Sequence, residues 1–164
     1  MKLSTRVEYG LRALIELTLK YQSTSDEPLM LQTIAEKQEI SKKYLEQLFI
    51  PLRKAGIVEG LRGPSGGYRL AHRPEDISLD KIFAILEGSL AVASCLLEPS
   101  RCKRSGHCAI QEIWEQVTLA VTDTLSAISL ENVTQRYVSL GQDRRAIETL
   151  LATKSIPEVE SKVV

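Results

Sequence analysis

One segment, residues 31–71, constrains the fold of this 164-residue chain more than any other. Its apolar residues at helical spacing fall into two groups on either side of a short break: Leu31, Ile34 and Ala35, then Leu45, Leu48, Phe49 and Leu52. With Ile40 in the break, two short helices can cross steeply around a small shared core. The pattern predicts a helix-turn-helix, with Glu39 at a position where such turns often have glycine.

A glycine-rich hairpin is predicted directly after this pair. Residues 57–61 and 68–71 are short strand-like runs joined by "RGPSGG", whose Gly and Pro content favours a turn. A hairpin in this place is a wing. Arg62 precedes the tip and Arg69 follows it, and small residues beside guanidinium groups suit a contact with phosphate or a minor groove.

The remaining helices complete a mainly α fold with one small β-hairpin. Apolar periodicity predicts helices over residues 4–20, 78–87 and 109–128, and the helical pattern weakens beyond Tyr137. The long helix carries an apolar stripe formed by Ile110, Ile113, Trp114, Val117, Val121, Leu125 and Ile128. A helix appended to the domain has little of the chain's own core to pack against. The stripe is therefore expected to pack against the same helix of a second chain, which predicts a homodimer.

Composition excludes several protein classes. Hydrophobic residues make up 43% and charged residues 26%, no apolar run is long enough to cross a bilayer, and the N-terminus does not resemble a secretory signal. We therefore expect a cytoplasmic protein without a membrane partner. Residues 1–75 have 12 Lys and Arg against 9 Asp and Glu, although the whole chain is neutral, so the N-terminal half favours an anionic partner such as DNA.

The second helix of the pair has side chains suited to a major groove. Phosphates and base edges require cations, hydroxyls and amides, and a helix N-terminus attracts phosphate. The start of the first helix offers similar groups. The predicted DNA-contacting residues are Lys2, Ser4, Thr5, Arg6, Ser41, Lys42, Lys43, Tyr44, Gln47, Arg62, Ser65 and Arg69. A solvated helix face is the alternative for the lysines.

All three cysteines lie in "CLLEPSRCKRSGHC", as Cys95, Cys102 and Cys108. In a reducing compartment, clustered cysteines more often bind metal or react than form disulfides. Lys103 and Arg104 would offset thiolate charge and make the loop reactive. This spacing is not a standard zinc or ferredoxin pattern, so the residues alone leave a metal site, a cluster or a thiol switch open.

Three stretches carry a family resemblance: "MKLSTRVEYGLRALIEL", "SKKYLEQLFIPLRKAGIV" and "RGPSGGYRLA". They resemble bacterial winged-helix regulators that include IscR, NsrR and CymR, over residues 1 to about 137. The resemblance implies a dimeric transcription factor acting on a palindromic operator, with residues 41–54 as recognition helix and 62–67 as wing tip. The expected organisation is a DNA-binding domain at 1–88, a sensor loop at 89–108, a dimerisation region at 109–137 and an extension at 138–164.

The same resemblance implies an iron–sulfur cluster, [2Fe-2S] or in some members [4Fe-4S], on Cys95, Cys102 and Cys108. In one subgroup a His three residues after the third cysteine ligates, but here that residue is Gln111. In another subgroup an acidic residue in the partner's first helix ligates, and the matching residue is Glu8. The carboxylate of Glu8 also fits a capping box. His107 is a weaker candidate ligand.

We expect a regulator that senses iron–sulfur status, redox state or nitric oxide by shifting its two recognition helices. Zinc binding, a thiol switch or a CymR-like partner protein are alternatives within the regulator class. A thiol enzyme would need a base near a cysteine, and only His72 and His107 are available. An adaptor without DNA contacts would leave the basic half and the wing without a role.

Overall fold

The structure is a computed structural model that describes residues 4–23, 27–63, 66–104 and 106–153. The chain divides into two compact units with the boundary between Thr134 and Gln135. The first unit is the winged helix-turn-helix with its following helices. The expected tail at 155–164 lies outside the described residues.

Three helices form the N-terminal part of the first unit. α1 spans Thr5–Ser23, α2 spans Leu31–Gln38 and α3 spans Lys42–Lys54. The hydroxyl of Ser41 caps α3 by accepting a hydrogen bond from the Tyr44 amide at 3.1 Å. Glu39 ends α2 in the left-handed region, with φ 53° and ψ 42°. The predicted helix pair is present, and its turn has the geometry that glycine would favour.

The wing is a two-stranded antiparallel hairpin. β1 spans Val58–Leu61 and β2 spans Gly67–Leu70, and the register pairs Val58 with Leu70 and Leu61 with Gly67. A further bridge joins Leu29 to Tyr68, with hydrogen bonds of 2.8 and 2.9 Å. The segment before α2 therefore forms a short third edge beside β2, which ties the wing to the helix pair.

The rest of the chain is helical. α4 spans Leu79–Glu87, α5 spans Ser94–Leu97, α6 spans Ala109–Ser126 and α7 spans Leu130–Thr153, with 3₁₀ turns at Pro74–Asp76 and Pro99–Arg101. Gly88 ends α4 with φ 93°, a conformation that glycine adopts without steric strain. Two features go beyond the sequence prediction. The cysteine segment contains the short helix α5, and α7 is one continuous helix across residue 137.

A single hydrophobic core joins α1–α4 to the wing and reaches Leu130 at the start of α7. The ring of Phe49 packs edge-on to Tyr68 with centroids 4.7 Å apart, which connects α3 to β2. α1 and α4 approach closely at Gly10, where a Cβ atom would overlap Leu86 Cδ1. The predicted fold class, mainly α with a small β-hairpin in a winged helix-turn-helix, is confirmed.

Candidate nucleic-acid interface and cysteine loop

The outer face of α3 is polar and open to solvent. Lys42, Lys43 and Gln47 are exposed, while Leu45 and Leu48 on the opposite face are fully buried. Because the apolar face is anchored in the core, the positions of the lysines and the glutamine are fixed by the fold. α3 therefore presents two cations and an amide, beginning in its first turn, where the helix N-terminus favours an anion.

Tyr44 is held against α1 rather than projecting freely. Its ring packs edge-on to the ring of Tyr9 with centroids 5.9 Å apart, and its hydroxyl lies 3.5 Å from Thr5 Oγ1. The start of α1 and the start of α3 are thus in direct contact. These contacts bring the predicted residues Thr5 and Tyr44 together.

The side chains of two other predicted DNA contacts, at the start of the first helix, form hydrogen bonds to α4. The hydroxyl of Ser4 donates to the carboxylate of Glu87, and Arg6 Nε donates to the Leu86 carbonyl oxygen at 3.0 Å. Both bonds tie the N-terminus of α1 to the C-terminal end of α4. A phosphate would have to compete with these acceptors for the same donors.

The wing places one predicted arginine in solvent and pairs the other. Arg62 is exposed, whereas Arg69 Nε donates to Glu59 Oε1 at 2.8 Å across the hairpin. This pair links adjacent strands and neutralises part of the wing's charge. The predicted contacts Lys2 and Ser65 lie outside the described residues.

A groove of about 360 Å³ separates α3 from the wing. Lys42 and Glu46 line its α3 side, and Gly63, Gly66 and Tyr68 line its wing side. Glu46 is exposed and is not one of the DNA contacts predicted from the sequence, which are cations, hydroxyls and amides that attract phosphate. A carboxylate can instead accept a hydrogen bond from the exocyclic amine of cytosine. The sequence signal for Glu46 is its position on the same helical face of α3 as Lys42 and Lys43.

The three cysteines are free, half-buried thiols at three different structural positions. Cys95 lies in α5, Cys102 follows the 3₁₀ turn and Cys108 is the N-cap residue of α6. Cys95 and Cys102 line one depression of about 290 Å³, together with Leu97 and Glu98. Cys108 does not line this depression.

Thiol side chains are suitable ligands for a soft metal or an iron–sulfur centre. The described residues of one chain, however, do not bring a complete set of ligands together. Across the part of the chain that the structure describes, no three His, Cys, Asp or Glu side chains are placed to hold a metal ion. Gln111 contacts the loop through one long hydrogen bond, which its Oε1 accepts from the Gly106 amide at 3.4 Å. Lys103, Arg104 and His107 are exposed. A four-coordinate metal centre on these three thiols would need a further ligand.

Glu8 lies on the exposed side of α1. Its Oε1 accepts from Arg12 Nη2 at 2.7 Å, one helical turn later, with the side chains of Glu8 and Arg12 54% and 47% exposed. The carboxylate thus contacts Arg12 in place of the capping box that the sequence also allowed. An exposed pair of this kind is weak, so Glu8 can exchange Arg12 for another partner at small cost.

The stripe on α6 is exposed at one end and packed at the other. Ile110, Trp114 and Val117 are 57%, 39% and 40% exposed in the single chain. Leu125 packs against the chain's own core, as does Ile128, which lies two residues past the end of α6, and Val121 is half-buried. Most of the uncovered apolar residues therefore lie in the first half of α6, where Ile113 is also exposed, and Leu119 extends this surface into the second half.

Within the described residues, no helix has both the length and the apolar content needed to cross a membrane.

Residues 3–136 match the Rrf2 family, described as an iron-dependent transcriptional regulator. IscR of Vibrio vulnificus is 35% identical over 161 residues, 95% of this chain and 94% of that protein.

Solved structures agree with this match. CymR, the global cysteine regulator of B. subtilis, superposes with a TM-score of 0.68 and 33% identity, covering 83% of this chain and 98% of its own. IscR of T. potens gives a TM-score of 0.66 and 34% identity, with 84% and 88% covered. The chain therefore belongs to the Rrf2 family, whose members are DNA-binding transcriptional regulators rather than enzymes.

Proposed function

We propose that this protein is a homodimeric transcriptional regulator that binds a palindromic operator in the cytoplasm. α3 enters the major groove, and the wing reaches the neighbouring minor groove or its phosphates. The observation that carries this proposal is the exposed face of α3, where Lys42, Lys43 and Gln47 project from a helix anchored in the core. Two such helices in a dimer would read two half-sites.

Salt dependence of binding tests the DNA contacts. A duplex enriched by the protein from a random-sequence library serves as the probe, with affinity measured by fluorescence anisotropy over a range of KCl concentrations. We expect Lys42→Gln or Lys43→Gln to weaken binding and to reduce the slope of log K against log salt by about one for each phosphate that the variant no longer neutralises. Lys81→Gln, which removes an exposed cation of α4, is the matched control. An unchanged slope in both α3 variants would contradict the placement of α3.

We further propose that Cys95, Cys102 and Cys108 of one subunit, with Glu8 of the partner subunit, hold an iron–sulfur cluster, most simply [2Fe-2S]. Support comes from three free thiols in one segment and from the exposed carboxylate of Glu8. When bound, such a cluster supplies a centre that reacts with oxidants and nitric oxide. Thiolates are the ligands that these clusters prefer.

Glu8 would have two partners in this proposal. Its carboxylate pairs with Arg12, one turn later on α1, and as a ligand it would also hold the cluster on the loop of the partner subunit. The position of α1, which packs directly on the recognition helix, would thereby depend on occupancy of the loop. Operator affinity that does not change with iron, sulfide or oxidant would contradict this sensing function.

Iron and acid-labile sulfide counts on anaerobically purified protein test the ligand set, together with an absorption spectrum. Cys102→Ser is expected to lose the visible absorption, and Glu8→Ala to lower iron content or hasten its loss in air. Glu112→Ala, at another exposed carboxylate in the first turn of α6, should behave as wild type. A colourless protein containing only zinc would overturn the cluster proposal and leave DNA binding intact.

A second candidate is a thiol switch or zinc site, or control by a partner protein as a CymR-like regulator of sulfur metabolism. The structural likeness to CymR and the separation of Cys108 from the Cys95–Cys102 depression favour it. Thiol alkylation followed by mass spectrometry distinguishes the two candidates. Alkylation of all three cysteines without a change in metal content would favour the thiol switch.

A further inference from the structure

The outer face of α3 is polar except at one residue, Ile50. The exposed residues of this helix are Lys42, Lys43, Glu46, Gln47, Ile50, Arg53 and Lys54, and every one but Ile50 is charged or has a side-chain amide. Ile50 is 47% exposed. The large apolar side chains that anchor α3 are fully buried: Leu45, Leu48, Phe49 and Leu52. Ile50 therefore contributes little to the core that holds this helix.

Ile50 lies on the side of α3 that is directed away from the core. Each residue of an α-helix turns the chain by about 100°, so Ile50 falls about 20° from Lys43 and about 60° from Gln47 around the helix axis. Lys54 lies on the same side, and the four fully buried residues centre on the opposite side. We call Lys43, Gln47, Ile50 and Lys54 the outer stripe of α3.

The outer stripe is flanked by two other parts of the fold. On one side of it, Lys42 and Glu46 line the groove beside the wing. On the other side, Tyr44 packs against Tyr9 of α1. The four residues of the stripe are all exposed between these contacts. A duplex bound to α3 would therefore face the outer stripe.

The charges of the outer stripe complement a major groove. Lys43 and Lys54 are at its two ends, about 16 Å apart along the helix axis, and a major groove is about 12 Å wide between its phosphate backbones. The two cations can therefore contact phosphates at the edges of the groove. Gln47 and Ile50 lie between them, where the base edges would be.

The base edges of a major groove offer one apolar group to an aliphatic side chain. Adenine, guanine and cytosine present hydrogen-bond donors and acceptors there, and thymine adds its 5-methyl group. Ile50 cannot form a side-chain hydrogen bond, so the thymine methyl is its favourable partner. Ile50 is about 4.5 Å from Gln47 along the helix axis, and successive base pairs are about 3.4 Å apart. The two side chains would therefore meet the same base pair or close neighbours.

We propose that Ile50 is a specificity-determining residue that packs against the 5-methyl group of a thymine in each half-site, within about two base pairs of the pair that Gln47 contacts. The inference rests on the proposed binding of DNA by α3. It does not involve the cysteines or a cluster.

Replacement of single thymines by uracil in the library-enriched duplex tests this contact, because uracil keeps the hydrogen-bonding groups of thymine and lacks only the methyl group. Each thymine of one half-site is replaced in turn, and the affinity of the full-length protein is measured by fluorescence anisotropy. We expect one replacement to weaken wild-type binding about fourfold, as for the exposure of one buried methyl group. Replacement of thymines away from α3 should leave the affinity unchanged.

Substitutions of Ile50 connect this effect to the side chain. Ile50→Ser should bind the thymine and uracil duplexes equally, because its short polar side chain has no apolar surface for the methyl group. Ile50→Val, which keeps a branched apolar side chain, should still prefer thymine. Lys43→Gln, on the same stripe, is the matched control. It should weaken binding to both duplexes and keep the fourfold ratio between them, about the wild-type value.

Two results would overturn the proposal: wild-type binding that is indifferent to uracil at every thymine of the half-site, or a uracil effect that keeps its full size in Ile50→Ser. The wild-type measurement needs no variant, and far-UV circular dichroism checks that Ile50→Ser is folded. A failure of the DNA-binding proposal is distinct, because no duplex would then be enriched and Lys42→Gln and Lys43→Gln would not change the salt slope.

Discussion

Glu39 adopts a backbone conformation that L side chains rarely take. Its φ of 53° and ψ of 42° lie in the left-handed region, and its amide donates within the turn to the Ala35 carbonyl. The side chain is exposed, so the fold does not offset the local strain with packing. The turn between α2 and α3 therefore stores strain that glycine would not have.

We expect Glu39→Gly to raise the free energy of unfolding by roughly 0.5–1 kcal/mol. Relief of left-handed strain, worth about 1–2 kcal/mol, outweighs the extra unfolded-state entropy of glycine. Urea unfolding followed by circular dichroism measures the change. Glu36→Gly, the same replacement inside α2, should lower stability by about 1 kcal/mol. A loss of stability in Glu39→Gly would contradict the assigned turn geometry.

Two glutamates on α1 differ in burial and therefore in their contribution to stability. Glu16→Ala should lower the free energy of unfolding by about 1–3 kcal/mol, because the variant loses two hydrogen bonds to a carboxylate that is itself buried. Glu8→Ala should change it by less than about 0.5 kcal/mol, since its pair with Arg12 is exposed. Thermal and urea unfolding of both variants measure the difference, and equal losses of stability would contradict the burial assigned to Glu16.

At the scale of elements, the wing depends on a close backbone approach at Gly67. A Cβ atom there would overlap the Leu29 carbonyl oxygen, in the bridge that joins the segment before α2 to β2. Gly60 has room for a Cβ atom by comparison, because the nearest neighbour of that atom would be Tyr68 Cε1 at 3.4 Å. The two strands of one hairpin thus differ in their tolerance of a side chain.

Gly67→Ala should lower stability by about 1–3 kcal/mol, because backbone atoms must move to relieve the overlap. It should also weaken DNA binding, since the hairpin would separate from the helix pair. Gly60→Ala is the matched control, expected to change stability by less than about 0.5 kcal/mol. Unfolding curves and anisotropy on the same duplex measure both effects. Equal behaviour of the two variants would show that the bridge to Leu29 is not important.

The cysteine segment and the α6 boundary illustrate what patterns within one element miss. "CLLEP" has no apolar period long enough to predict a helix, and α5 has only four residues, Ser94–Leu97. The break between α6 and α7 falls at residues 127–129, inside a region rich in apolar residues. Backbone bonds from Leu79 to the Ile128 carbonyl and from Leu130 to the Ile77 carbonyl fix that break. Such contacts between distant segments leave no local pattern.

At the scale of the whole molecule, the first half of α6 has too much apolar surface for an isolated helix. We expect Val117→Glu to convert a dimer to a monomer, because a carboxylate would be buried without a partner in the helix pairing. Gln116→Glu, at an exposed adjacent position, adds the same charge and should remain dimeric. Light scattering after size-exclusion chromatography measures the mass, and emission from Trp114 should shift to longer wavelength in the monomer. A dimeric Val117→Glu would contradict pairing through α6.

The sequence by itself determined the helix pair, the wing, the bounds of α6 to within about two residues and the identity of the cysteine segment. These features depend on local periodicity, turn residues and caps, which neighbouring residues encode. Only the tertiary structure decided which side chains already have a hydrogen-bond partner. Arg6 donates to a carbonyl oxygen of α4, and Arg69 donates to the carboxylate of Glu59. It also decided the contacts of Tyr44 with α1. Pairings across 10 to 80 positions depend on how helices pack in three dimensions, and no periodicity along the chain records them.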